Sequence, residues 1–149
     1  MLAKTLAALF TRDLTRLKEE LSLYKNPAAI WMIDGQANNS AGNLCLHLIG
    51  NLNSYIGATL GHTGYIRNRE LEFNDTAVPL EILQKKISDT IGMLNTVVPT
   101  LSCQQLEAAY PLLVLEQPTS TGFLLTHLAT HLGYHLGQVS YHRRLLDSR

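Results

Sequence analysis

Four stretches of this chain bring an apolar side chain round at every third or fourth residue. That spacing lines one face of a helix, and no convincing set of alternating strands accompanies it. From Leu2 to Lys25 the series is Leu6, Leu9, Phe10, Leu14, Leu17, Leu21 and Tyr24, closed by Asn26-Pro27, since a residue before proline is pushed out of helical geometry. A connection with Trp31 and Gly35 follows, and Ser40 is placed to cap a second helix over about Ala41 to Leu60 through Leu44, Leu48, Leu52, Tyr55 and Ile56. Gly50, Gly57 and Gly61 weaken its intrinsic propensity by up to about 1 kcal/mol each, which suits close contact with a neighbour.

The segment Tyr65 to Ala77, with Arg67, Arg69, Glu70, Glu72 and Asp75, reads as a solvated linker holding local ion pairs. Pro79 suits a first helical turn, and Leu80, Ile82, Leu83, Ile87, Ile91, Leu94 and Val97 continue the period to Pro99. Ser102 and Gln105 have capping-box spacing, while the state of Pro111 to Pro118 stays open. Thr119 or Ser120 can cap the last helix, which carries Phe123, Leu124, Leu128, Leu132, Leu136, Val139 and Leu146. The expectation is an all-α chain, one domain over residues 1–149, folded as an antiparallel four-helix bundle.

Composition narrows the function classes. With 46% hydrophobic and 16% charged residues the chain is neither a disordered tail nor a highly charged coiled coil. Twelve basic residues balance twelve acidic ones, so there is no field of one sign to draw nucleic acid or anionic lipid. No run approaches the roughly 18 to 20 apolar residues of a membrane span, and Lys4 interrupts the apolar N-terminus; a cytoplasmic protein is expected. Cys45 and Cys103 lie far apart in apolar runs and read as buried thiols.

The chemistry-bearing residues are the histidines His47, His62, His127, His131, His135 and His142, four of them on the last helix. His127, His131 and His135 fall within about 80° of one another on a helical wheel, and His135 and His131 point closest to the apolar face. Side chains at i and i+4 sit about 5 to 6 Å apart at Cβ, so His131 and His135 can share one divalent cation. His142, about 10 Å further along the axis, reads as surface or rim. A bundle supplies further ligands from facing helices, which makes His47 the leading third ligand. On a simple wheel His47 projects away from the Leu44, Leu48 and Leu52 stripe, so its inward direction requires a helix buried on more than one side. Three imidazoles leave a coordination position open to water or substrate.

The stretch Asn39-Ser40-Ala41-Gly42-Asn43-Leu44-Cys45-Leu46-His47-Leu48-Ile49-Gly50-Asn51-Leu52, the linker Arg67-Asn68-Arg69-Glu70-Leu71-Glu72-Phe73, and His131-Leu132-Gly133-Tyr134-His135-Leu136-Gly137-Gln138 resemble the DinB-like superfamily in order and separation. The resemblance implies a DinB/YfiT-like four-helix bundle, commonly a homodimer, with nickel or zinc among the divalent ions held by His47, His131 and His135. It also implies thiol-dependent transferase or isomerase relatives whose substrates are small-molecule thiols and electrophiles. Gln138 matches too and can orient a ligating imidazole; Tyr134 and Trp31 are candidates to line the pocket. Arg67 and Arg69 suit an anionic substrate or, more simply, ion pairs within the loop. Three readings follow: a metal-dependent transferase or hydrolase, a non-catalytic metal- or ligand-binding stress-response bundle, or a structural or partner-binding helical protein whose histidines bind nothing. The second draws on the absence of an acidic residue beside the histidine row, Glu107 and Glu116 being remote in sequence.

Overall fold

A computed structural model describes residues 1–147. The chain is all-helical, and no strand occurs among the described residues; the closest approach is one isolated antiparallel bridge between Ala109 and Ser120. The helices are α1 (Leu2–Ser22), α2 (Ala41–Leu52), α3 (Thr59–Gly61), α4 (Arg69–Asn74), α5 (Leu80–Val97), α6 (Cys103–Glu107) and α7 (Thr121–Leu146). Short 3-10 turns at Pro27–Trp31 and Val98–Thr100 and a π-helical turn at Asn53–Ala58 complete the set. No helix among the described residues is long and apolar enough to cross a membrane.

The helix starts follow the local chemistry expected of them. Ser40 Oγ accepts from the Asn43 amide at the head of α2, Ser102 and Gln105 close a reciprocal capping box at α6, and Ser120 accepts from Phe123 N at α7. The apolar stripes then meet. α1 packs on α5 and α7, α2 packs on the same two helices and on α4, and Phe10, Leu14, Leu17, Leu48, Leu52, Leu83, Ile87 and Leu124 are fully enclosed between them. At about 1.5–3 kcal/mol for each such side chain, this shared core fixes how α2 faces α7.

α2 is the element the wheel misjudged. It is covered by α4, α5, α7 and the Pro27–Trp31 turn, so of its twelve residues only Leu46 escapes full burial. A helix enclosed all round has no solvent face, and His47, off the leucine stripe, is buried with the rest.

Four other expectations change. The Tyr65–Ala77 segment is mostly exposed, as expected of a solvated linker, but it is not wholly one: Asn68 caps α4, and Asn43 Nδ2 donates to the carbonyls of Glu72 and Asp75 at 3.0 and 2.7 Å, drawing Glu72 into the interior. His142 is not at the surface. It lies on the same α7 face as Val139 and Leu146, accepts from Tyr24 O–H at 2.7 Å and donates from Nε2 to Met32 O at 2.8 Å. Trp31 lies over Gly42, so closely that a Cβ there would overlap its ring, and so serves as packing for α2. Cys103 is exposed at the start of α6 while Cys45 is buried, because Ser102 opens a helix only five residues long.

The two thiols should therefore behave differently. Burial pushes the Cys45 thiol up to about 12, leaving almost no thiolate near neutral pH. Titration of the native chain with a thiol-reactive dye at pH 8 should label one cysteine rapidly, Cys103, and the second only on unfolding; equal labelling of both in the native state would contradict the packing of α2.

Candidate metal centre

α2 and α7 pack against one another, which carries His47 to the face of α7 that presents His131 and His135. The Nε2 atoms of His47 and His131 are 3.4 Å apart and those of His131 and His135 are 3.0 Å apart. One ring nitrogen of each of the three lies within 4.8 Å of the others. The rings meet edge-on, at 76° for His47 with His131 and 86° for His131 with His135, so nitrogens rather than ring faces converge.

The remaining nitrogens have partners of their own. His47 Nδ1 is 3.1 Å from Glu72 Oε1 and 3.4 Å from Arg67 Nη2; the shorter contact is to a carboxylate, which only accepts, and it favours the tautomer with the proton on Nδ1 and Nε2 bare. His135 Nδ1 is 2.6 Å from Gln138 Oε1, whose amide nitrogen donates to Tyr134 Oη at 3.3 Å, so His135 also carries its proton on Nδ1. Two bare lone pairs thus face the Nε2 of His131. Burial lowers the pKa of both His47 and His131. For His131 it does so to about 4, with the surrounding imidazoles and Arg67 adding to it; for His47 the bond to Glu72 partly opposes it. Neutral imidazoles with inward lone pairs are what a divalent cation requires and what direct contact between rings disfavours. Metal–nitrogen bonds of about 2.0–2.1 Å in a tetrahedron place ligand nitrogens about 3.4 Å apart, close to the separations here. The three-histidine group could hold a metal ion.

Comparison with protein-family models, curated proteins and solved structures gives no match.

Glu72 is the residue the sequence concealed. Its side chain is buried and clamped by Arg67, with Nε donating to Oε2 and Nη2 to Oε1, both at 2.8 Å, so Arg67 pairs within the segment as its loop position suggested. The carboxylate reaches His47 only because residue 50 is glycine: a Cβ there would collide with Glu72 Oε2. The glycine, three residues after His47, was the available signal for a close partner at that point. Gln138 sits where a partner for His135 was expected, while Tyr134 is exposed and touches the site only through Gln138 and the edge of His135, with ring centres 5.3 Å apart.

Beside the cluster opens a cavity of about 270 Å³ walled by Asn51, Tyr55, Arg67, Arg69, His127 and His131 among others. Tyr55 belongs to the π-helical turn, and π-turns inside helices often mark functional sites; its ring lies under the Arg67 guanidinium at 5.6 Å. His127 stacks nearly parallel on His131 with ring centres 6.3 Å apart. His62, exposed and in the left-handed region at φ 51°, and His142 stand outside this group.

Two substitutions test the construction. Glu72→Gln removes the carboxylate that orients His47 and should weaken binding of Zn2+ or Ni2+ by about 10- to 100-fold, read by competition with a chromophoric chelator. Gly50→Ala should lower affinity in the same direction by displacing Glu72, although nothing else at the cluster is altered. Unchanged affinity in both variants would remove Glu72 from the site.

Proposed function

We propose that this chain is a divalent-metal protein of the DinB-like kind, an antiparallel four-helix bundle whose ion, nickel or zinc, is held by the Nε2 atoms of His47, His131 and His135. The observation that carries the reading is the convergence of the Nε2 atoms while the Nδ1 atoms of His47 and His135 lie against Glu72 and Gln138, partners that orient the two rings with their inner nitrogens free. Three neutral ligands would leave a coordination position unfilled, the pattern of a catalytic rather than a closed structural site, and a cavity adjoins His47 and His131. When bound, such an ion lowers the pKa of a coordinated thiol or water and polarises a carbonyl oxygen.

The chain's own groups divide the remaining work. Glu72 accepts from His47 and takes both of its Arg67 contacts, so it orients a ligand and has no role as a proton acceptor. His127, on the cavity wall and stacked on His131, is the imidazole placed to exchange a proton with a substrate. Val114, Leu115 and Leu128 supply the apolar part of the wall. The reaction favoured by this arrangement is a thiol-dependent transfer or a hydrolysis. A homodimer fits the aromatic and aliphatic side chains exposed along the outer side of α7, Phe123, Tyr134, Tyr141 and Leu145.

The full engagement of Glu72 favours a second reading, a metal- or ligand-holding bundle without catalysis. Metal analysis of untagged protein, with turnover of thiol conjugates and of small electrophiles, decides between them. The catalytic reading expects about one ion per chain and a turnover lost in His135→Ala while far-ultraviolet circular dichroism is unchanged. Bound ion without turnover gives the second reading, and absence of bound ion after incubation with Zn2+ or Ni2+ overturns the catalytic reading and the metal-holding form of the second.

A further inference from the structure

Two polar atoms of residues that wall the cavity beside the histidines are buried, and nothing in the protein satisfies them. His131 Nδ1 and Asn51 Oδ1 are both buried without a hydrogen-bond partner, and both residues line this cavity. Buried polar atoms left unpaired cost about 1–3 kcal/mol each, so a pair of them in one polar recess points to a ligand. The Asn51 side chain is only 8% exposed.

The kind of ligand follows from charge and donors. When an ion occupies the shared centre, Nε2 of His131 is a ligand and its proton belongs on Nδ1, an N–H with no protein acceptor; without the ion the bare nitrogens of His47 and His135 draw that proton to Nε2. An end-for-end turn of the Asn51 amide costs no bond at Oδ1 and places Nδ2–H in the same recess. Arg67 and Arg69 bring two positive charges to the wall. Arg67 is matched by Glu72, whereas Arg69 is exposed and has no ion-pair partner among the described residues. One positive charge is left over.

We propose that this recess is a carboxylate subsite. It takes a small monoanion whose oxygens accept from Arg69 and from the Asn51 amide, and from His131 Nδ1–H once the centre is filled, with the rest of the molecule directed toward the histidine cluster. A phosphate dianion would bring a second negative charge for which the wall has no counterpart. The inference rests on the metal reading for the tautomer of His131; the guanidinium and amide contacts do not depend on it.

The test is a titration of metal-free chain, in which a carboxylate has no ion to ligate, with propionate, its neutral isostere propionamide, and inorganic phosphate, followed by 1H–15N spectra that include the Asn51 side-chain amide. Propionate should saturate and shift that amide, and propionamide should not. Arg69→Gln, an exposed position, should weaken propionate at least tenfold, and the isosteric Asn51→Asp should abolish binding. Equal binding of propionate and propionamide, equal affinity in Arg69→Gln, tighter binding of phosphate, or no saturation overturns the subsite. Metal content measured on the same preparations separates the two readings. Arg69-dependent propionate binding in a chain that takes up no ion leaves the subsite standing without the centre; full metal loading with propionate ignored does the reverse.

Discussion

The contact from which the rest of this site follows is the one between Glu72 and His47. It joins an acid in a polar segment to an imidazole on the most enclosed helix of the protein. A buried carboxylate is costly unless it is paired and fully hydrogen-bonded, and here Arg67 supplies the pair while His47 Nδ1 supplies the last donor. In accepting that bond Glu72 fixes the tautomer of His47 and turns its free lone pair toward α7. The same contact holds α4 against α2, with the Asn43 amide bonds to the backbone at Glu72 and Asp75 closing the other edge. Fold and site share one anchor, so that a change at residue 50 or 72 is felt by both.

Much of this was legible in the sequence, for a definite reason. Amphipathic period and capping residues report local forces, and they placed α1, α5, α7 and the heads of α2 and α6 close to where they lie. The i, i+4 spacing of His131 and His135 likewise follows from helix geometry alone. His47 was within reach only as a conditional: its direction depended on how many neighbours covered α2, a property of the assembled helices that no wheel contains. Glu72 was further off. A run with Arg67, Arg69, Glu70 and Glu72 has the composition of a solvated loop, and the burial of one member is decided by a glycine 22 positions upstream and by Asn43. His142 and Cys103 failed in opposite senses: the histidine was judged by its distance from the pair instead of by its own helix face, and the cysteine by apolar neighbours in sequence that fold elsewhere.

His142 also shows why a buried histidine is not by itself a ligand. Both of its nitrogens have protein partners, Tyr24 and the Met32 carbonyl, and it serves to tie the end of α7 to the end of α1 and the turn that follows. His47 and His135 each spend one nitrogen on a protein acceptor and keep the other bare, while His131 has no protein acceptor on Nδ1 at all. Burial alone does not separate these two kinds; the account of each ring nitrogen does.

That account bears on how one small site can combine tight coordination with room for chemistry. The partners of His47 and His135 are held by further contacts, Glu72 by Arg67 and Gln138 by Tyr134, so those rings are stiffened from behind. His131 lacks such a partner: its outer nitrogen is buried and unpaired, while the ring itself forms part of the cavity wall. The ring least braced by the protein is thus the one in contact with whatever enters, and its nearest aromatic neighbour on α7 apart from His135 is His127, also on the cavity wall. A ligand that accepts from His131 Nδ1–H would make that imidazole a stronger donor to the centre, as carboxylate partners do for metal-bound histidines generally. With an ion in the centre and an anion in the recess, occupancy of the cavity and strength of coordination would be coupled through one side chain, with the sign that favours an ion held most firmly when the anion is in place.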